Sequence, residues 1–206
     1  MKKLALITFS AILATVGAYA TSYMGPTNLS KETLKEVIIH GPAQLQQIKA
    51  DSLQVMGPLE FKDLQVAGNT TVIGAVSNSQ SGKFNELKIT GPFKVKQVEA
   101  NTLQVIGQVD VDGIAVKGET VVFGPLAARN SKFQNITITT DKITLDNVSV
   151  NNIYVKQSNT KTPPTITLSG KTVVAGSIQF ESKNGIVSKG KSAEIKGAIN
   201  GGEVKK

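Results

Sequence analysis

The chain has 206 residues, with 23 basic and 15 acidic side chains and a formal net charge of +8. It contains no cysteine, so disulfide bonds and lipid attachment through a cysteine are excluded. Tryptophan is absent, and only seven Phe and three Tyr are present, which disfavours a sugar-binding site built on aromatic platforms.

Residues 1–20 have the pattern of a bacterial signal peptide. Lys2 and Lys3 precede an uncharged apolar run, and Ala18 and Ala20 supply the small side chains typical of a cleavage site. The run is shorter than the roughly 20 residues of a membrane span, and no later segment is apolar enough to cross a bilayer. We therefore expect an exported protein, either periplasmic or extracellular.

Removal of the signal peptide would leave 21 basic and 15 acidic residues, a net charge of +6. A positive charge of this size favours anionic envelope polymers or host surfaces as partners. Export argues against nucleic acid as a partner.

Residues 21–36 are predicted to cap the domain that follows. The segment NLSKETLKEV, residues 28–37, is rich in helix-forming Lys, Glu and Leu, and Asn28 or Ser30 is suited to the N-cap position. We expect a short helix that covers the N-terminal end of the domain.

An internal repeat in residues 37–188 is the strongest pattern in the sequence. When residues 41–74 are aligned without gaps to residues 91–124, 13 of the 34 pairs are identical. A shorter period lies inside this unit, because glycines at 41, 57, 74, 91, 107 and 124 are 16 or 17 residues apart. Such self-similarity is typical of solenoids, whereas a β-sandwich or barrel would not normally keep a fixed glycine period.

One unit of the repeat shows how the chain is expected to fold. In residues 53–70 the apolar side chains come in pairs two positions apart, which predicts short strands with one buried face. Breaks near residues 57, 62 and 67 separate three such strands, so each unit forms a triangular coil. We predict an all-β, single-stranded parallel β-solenoid of about nine or ten coils. Parallel crossovers are usually right-handed, so we expect that hand.

Two polar stretches, residues 75–86 and 125–135, interrupt the apolar alternation once in every three coils. We predict that they form loops on one edge of the solenoid, either as solvated corners or as a binding ridge. The residues of this predicted ridge are Ser77, Asn78, Gln80, Lys83, Arg129, Asn130 and Lys132.

The 16-residue register also predicts charge pairs between neighbouring coils. It places Lys94 over Asp110 and Lys96 over Asp112. Pairs of opposite charge on adjacent strands help to fix the register of a sheet.

Residues 189–206 are rich in Gly and Lys and poor in core-forming side chains. We expect a fading final coil and a flexible basic tail. A poorly covered C-terminal end would expose unpaired strand edges, and head-to-tail stacking of copies is the natural consequence.

The sequence offers little catalytic chemistry. The single histidine, His40, invites comparison with left-handed β-helix acyltransferases, but their hexapeptide period is absent here. Asp110 and Asp112 have lysine neighbours and do not form the acid cluster of a pectin-lyase-like enzyme. We predict no enzymatic activity, no catalytic residue and no cofactor or metal site, and an acyltransferase-like enzyme is only the third hypothesis.

The Val-x-Gly corners over residues 37–176, with 16 or 17 residues per coil, resemble those of bactofilin-like polymer-forming β-helices. This resemblance implies a β-helix that polymerises, although bactofilins are typically cytosolic and this sequence begins with a signal-peptide pattern. Our leading hypothesis is a non-enzymatic structural or scaffold protein of the bacterial cell envelope that self-associates end to end. The alternative is a secreted or surface adhesin or binding module that uses the polar stretches.

Overall fold

The computed structural model describes residues 20–158 and 161–205, and these form a parallel β-solenoid of about 11 turns. The predicted solenoid is therefore confirmed. The predicted signal peptide lies outside the described residues, except for Ala20. Within the described ranges all regular secondary structure is β, and no helix is long and apolar enough to cross a membrane.

Twenty strands follow one another along the chain, and four of them, β4 to β7, each run around a whole coil. Their bounds are β1 Thr21–Met24, β2 Thr27–Ser30, β3 Thr33–His40, β4 Ala43–Met56, β5 Leu59–Ile73, β6 Val76–Thr90, β7 Phe93–Ile106, β8 Val109–Asp112, β9 Ala115–Phe123, β10 Leu126–Arg129, β11 Lys132–Thr139, β12 Lys142–Asp146, β13 Ser149–Lys156, β14 Thr165–Ser169, β15 Val173–Val174, β16 Ile178–Phe180, β17 Gly185–Lys189, β18 Glu194–Ile195, β19 Ile199–Asn200 and β20 Gly202–Lys205.

Each coil contributes one strand segment to each of three parallel faces. Face 1 holds the strand segments that end just before the repeated glycines, and in it Met56 pairs with Ile73. Face 2 begins after the glycine, and there Ala43 pairs with Leu59. Face 3 closes the coil, and in β1 to β13 equivalent residues are 16 to 18 positions apart.

Side chains that point inward stack in rows and form one continuous apolar core. Val55, Val72, Val105 and Val122 lie in one such row on face 1, and all are completely buried. Because successive side chains along a strand point to opposite faces, every second residue of each strand points into the core, as the sequence predicts.

Two of the three corners of a coil depend on different backbone requirements. At the first corner, between faces 1 and 2, a Cβ added to Gly41 would lie only 2.6 Å from the carbonyl oxygen of Gly25 in the previous coil, so only glycine allows this stacking. At the second corner, between faces 2 and 3, single residues such as Gln47, Asp63 and Gln97 have φ near +55°, a conformation that side chains other than glycine rarely adopt.

The predicted N-terminal capping helix is wrong. Residues 27–30 form β2, which pairs with Ala43–Gln46, and residues 33–40 form β3, which pairs with β1 and β4. The inward side chains of Leu29, Leu34 and Val37 stack on their partners in the next coil, which are Leu45, Ala50 and Leu53. Pairing and core burial therefore override the helix propensity of the Lys and Glu residues.

The segment predicted as a basic tail, residues 189–206, contains strands β18 to β20 in its described part. These strands pair with β15, β16 and β17. The solenoid therefore includes coils at both ends that lie outside the predicted range 37–188, which is why it has about 11 turns rather than nine or ten.

Candidate functional site

The polar stretches predicted as loops are instead built into the coils. Residues 76–90 form β6, and residues 126–129 and 132–139 form β10 and β11. Ser79 and Ser131 point inward and are buried, and each takes the place of an apolar residue at the second corner. These serines allow a polar sequence to close a coil without leaving the solenoid.

The two serines make the same set of hydrogen bonds. The hydroxyl of Ser79 accepts from the backbone N–H of Phe61 at 3.0 Å and donates to the carbonyl of Ser77 at 2.7 Å. The hydroxyl of Ser131 accepts from Ile114 at 3.1 Å and donates to the carbonyl of Arg129 at 2.6 Å. The buried hydroxyls are therefore satisfied.

Each serine follows an asparagine with positive φ. Asn130 stands at the second corner, whereas Asn78 lies at a register shift within face 2, before the corner residue Ser81. Asn78 and Asn130 have φ of 50° and 49°, and their side-chain amides donate to Glu60 and Asp112 in the preceding coils, both at 2.8 Å. Asn is one of the few residues that tolerates this conformation. The Asn-Ser pair is thus a repeated structural device, which its recurrence in SNS and RNS could have revealed in the sequence.

The residues of the predicted ridge all lie along this second corner, in two coils that are three turns apart. Ser77, Gln80 and Arg129 belong to face 2, whereas Lys83 and Lys132 lie across the corner on face 3. With strands spaced about 4.8 Å apart, the two groups are separated by roughly 14 Å.

A groove of about 410 Å³ joins the two groups across the intervening coils. Its lining residues are Asn78, Ser79, Gln80, Lys94, Val95, Lys96, Asp110, Asp112 and Arg129. Of the predicted ridge, Asn78, Gln80 and Arg129 line the groove, whereas Ser77, Lys83, Asn130 and Lys132 do not. The groove adds four charged residues that were predicted only as register pairs.

The predicted register between coils is confirmed, because Lys94 pairs with Asp110 and Lys96 with Asp112. The ion pair in this region is a different one. The guanidinium of Arg129, which lies in the coil after that of Asp110, is 2.6 Å from the Asp110 carboxylate. Both side chains are partly exposed, so this contact adds little to stability.

His40 lies at the end of a face 1 row between Met24 and Met56. Neither flanking thioether can act as an acid or a base toward His40. Across the described ranges, no group of three or more His, Cys, Asp or Glu residues is placed to bind a metal ion.

A row of exposed apolar side chains runs along the first corner, immediately before the glycines. It contains Met24, Met56, Ile73, Ile106 and Phe123, which are 40 to 76% exposed. This row was not among the predicted features, although an apolar residue repeatedly precedes the corner glycine in the sequence.

Charge is distributed unevenly along the solenoid. Residues 21–155 contain 12 basic and 12 acidic side chains, whereas residues 156–206 contain nine lysines and three glutamates. The positive charge of the chain beyond the predicted signal peptide is therefore carried by its C-terminal turns.

Both ends of the solenoid expose strand edges. At the N-terminal end β1 pairs only with β3 and β2 only with β4, and at the C-terminal end β19 pairs only with β16 and β20 only with β17, as far as the described residues extend. The core is also open, since Val204 occupies an inward row above the fully buried Val187 and is 46% exposed.

Comparison of the chain with protein-family models, with curated proteins and with solved structures gave no match. The likeness to bactofilin-like proteins therefore remains a likeness of sequence pattern and fold type.

Proposed function

We propose that the protein is a non-enzymatic structural or scaffold protein of the bacterial cell envelope whose solenoids stack end to end. The observation that carries this proposal is that the described residues leave one unpaired parallel edge at each end of the same rod. The signal-peptide pattern supports the envelope as its location, and the resemblance to polymer-forming β-helices supports assembly.

The N-terminal edge has free hydrogen-bonding groups. Thr27 and Lys31 donate their backbone N–H groups to Pro42 and Gln46 in the second coil, at 2.9 Å each. Because successive residues of a strand direct their N–H groups to opposite sides, the N–H of Asn28 faces away from the solenoid. This edge can accept another strand without any change in the coil.

The C-terminal edge is the complementary surface. The N–H of Gly185 donates to Gly201 in the following coil, whereas the N–H of Ile186 donates back to Pro164. By the same alternation, Val204, which pairs with Val187, directs its backbone groups away from the solenoid. A first coil placed on this edge would continue the parallel pairing and cover Val204, Ile199 and Ile195.

The energetic case for stacking comes from burial and backbone pairing together. Exposed strand edges favour the addition of another strand, and proteins that avoid this reaction cover their edges or place proline and charge there. The described coils at both ends carry strand edges without a covering element. Ser22 and Asn28 on the first edge are uncharged.

Proline substitution at Asn28 tests the proposal. Asn28→Pro removes a donor that faces the free side and leaves the pairing with the second coil in place, since proline is tolerated on an edge strand in this orientation. Asn28→Ala keeps the backbone donor and serves as the matched control. Both variants are prepared without residues 1–20 and are studied by sedimentation velocity and negative-stain microscopy.

We expect the unmodified chain and Asn28→Ala to form rods longer than one molecule, and Asn28→Pro to remain monomeric with an unchanged circular dichroism spectrum. If Asn28→Pro fails to fold, Ser22→Pro tests the face 1 edge in the same way. A strict monomer for the unmodified chain at high concentration, or equal assembly of all variants, would overturn the stacking proposal.

A binding module remains the second candidate, because the groove on face 2 has the volume of a small-ligand site. Lys94 and Lys96, which form no ion pair with the described residues, would hold an anionic group. Salt-sensitive binding of acidic oligosaccharides that is lost in Lys94→Gln/Lys96→Gln and kept in Lys83→Gln/Lys132→Gln would support this function. Equal binding by the two double variants would exclude the groove.

A further inference from the structure

The lysines of the last turns surround the axis of the solenoid. We define the basic end as Lys156, Lys161, Lys171, Lys183, Lys189, Lys191, Lys196 and Lys205. Lys156 is the last residue of β13 on face 1, and Lys183 lies in the turn after β16. Lys171 and Lys191 lie in the turns between faces 2 and 3, and Lys196 follows β18 on face 3. All three corners therefore carry positive charge.

Few acidic groups compensate this charge. Residues 156–206 contain only Glu181, Glu194 and Glu203 as acids. Among the described residues of this region, the one ion pair joins Lys205 to Glu203 at 3.3 Å, and both side chains are largely exposed. The remaining lysines of the basic end are available to an external anion.

The centre of the same end is apolar. Ile195 and Ile199 are partly exposed, and Val204 is 46% exposed although its row is buried in the preceding coil. Ile195 lies in the same row as the fully buried Val174, and Ile199 in the same row as Ile178. The end of the rod thus presents an apolar centre within a ring of lysines.

The arrangement of the ring indicates the shape of the partner. A linear polyanion needs a continuous track of cations along one face, whereas these cations lie at every corner. A flat anionic surface that approaches along the axis meets several corners at once, and the last turn lies within a Debye length of about 8 Å from such a surface at physiological ionic strength. A lipid bilayer also has an apolar acyl-chain layer beneath its charged headgroups, which suits the exposed valine and isoleucines.

We propose that the C-terminal end of the solenoid docks end-on against an anionic lipid surface. A single copy carries the whole docking surface, so the inference does not depend on stacking. Docking also leaves the N-terminal edge free, so a docked copy could still take part in a stack.

Vesicle co-sedimentation tests this inference with the chain that lacks residues 1–20. The probes are vesicles of phosphatidylcholine alone and of phosphatidylcholine with one third phosphatidylglycerol. The test variant is Lys183→Gln/Lys191→Gln/Lys196→Gln. The matched control, Lys49→Gln/Lys62→Gln/Lys117→Gln, removes the same charge from three exposed positions in the neutral part of the rod.

We expect binding to the anionic vesicles only, a loss of at least about tenfold in the test variant, and little change in the control variant. Val204→Ser should weaken binding further without changing the net charge. Equal loss in both triple variants would show that binding depends on net charge alone, and would overturn the proposal. No vesicle binding, with tight binding to soluble dextran sulfate, would identify a linear polyanion and would also overturn it.

Asn28→Pro separates docking from stacking, because it changes only the N-terminal edge. We expect this variant to bind anionic vesicles as the unmodified chain does. Loss of binding in a folded, monomeric Asn28→Pro protein would show that docking requires assembled copies, and would overturn docking by a single copy.

Discussion

The first eight turns and the last turns of the solenoid both pair their strands in parallel, but they connect successive strands in different ways. In residues 21–156, which we call the regular region, equivalent corners stack residue upon residue at a spacing of 16 to 18 positions. In residues 161–205, the terminal region, most paired residues are 21 to 25 positions apart, although β17 and β20 keep a spacing of 17. Ile153 pairs with Ile178, 25 positions on, and Ile178 pairs with Ile199, 21 positions on. The strands still pair in parallel, but the corners no longer match.

Side chains supply the hydrogen bonds where the corners do not match. The side-chain oxygen Oδ1 of Asn147 accepts from the backbone N–H of Lys171, and Oδ1 of Asn152 accepts from the backbone N–H of Ser177, both at 2.9 Å. The hydroxyl of Thr172 accepts from Val148 at 3.2 Å and lies 2.6 Å from the carbonyl of Ser169. At these corners polar side chains therefore supply the hydrogen bonds that backbone stacking supplies in the regular region.

The largest effect should come from the stacked glycines of the regular region. In Gly91→Ala the new methyl group would meet the carbonyl of Gly74, and φ at this position is +141°. We expect a loss of about 3 kcal/mol in the free energy of unfolding. Gly25→Ala, in the same row but with nothing within 4 Å, should lose only about 1 kcal/mol. Denaturant unfolding measures both, and equal losses would show that stacking is not the reason for glycine.

A smaller loss is expected from the junction with the terminal region. Thr172→Val removes a fully buried hydroxyl and leaves the N–H of Val148 without its acceptor. Because an unsatisfied buried group is costly, the free energy of unfolding should fall by about 2 to 3 kcal/mol. Thermal unfolding should show this loss. Thr172→Ser restores the hydroxyl and should recover most of the stability, and failure of this rescue would contradict the role of the hydrogen bond.

The same substitution in the regular region should have the opposite sign. Thr120 is also fully buried, but its hydroxyl has no hydrogen-bond partner within the described structure, and its neighbours in the row are Leu103 and Ile136. Thr120→Val should therefore raise the free energy of unfolding by about 1 kcal/mol. Thr71→Val, at a position that points outward, is the control. A loss of stability in Thr120→Val would mean that the hydroxyl has a role that this structure does not reveal.

The comparison also explains which parts of the fold could be predicted from the sequence. The regular region repeats its glycines and its inward pairs, so its coils, corners and the register of Lys94 over Asp110 are readable. The first coil resembles a helix in sequence, because its Lys and Glu residues point outward and the inward alternation of Leu29, Leu34 and Val37 is sparse. The terminal region loses its period where the turns lengthen, so its strands resemble a tail.

The groove was only half predictable for a related reason. Asn78 and Arg129 stand out as polar residues in the sequence, but the intervening Lys94 and Asp112 belong to regular coils and suggest only register pairs. Their contribution to the groove depends on the stacking of four coils. No local pattern in a single coil contains that information.

The smallest effect concerns the exposed first coil, where the regular region begins. Partial burial and the nearby Glu32 carboxylate raise the pKa of Tyr23 above its usual value near 10. The folded state therefore favours the neutral phenol, and this stabilisation is complete below pH ~10 and is lost as the pH rises through the folded pKa. Ultraviolet titration of a Tyr154→Phe chain without residues 1–20 isolates Tyr23, since Tyr19 is then absent. Glu32→Gln should lower the measured pKa only in part, because burial is the larger cause.

Stacking of a second copy on this edge would bury Tyr23 further, so the pKa of Tyr23 should be higher in assembled rods than in Asn28→Pro monomers. Equal pKa values would place the first coil outside the contact between copies.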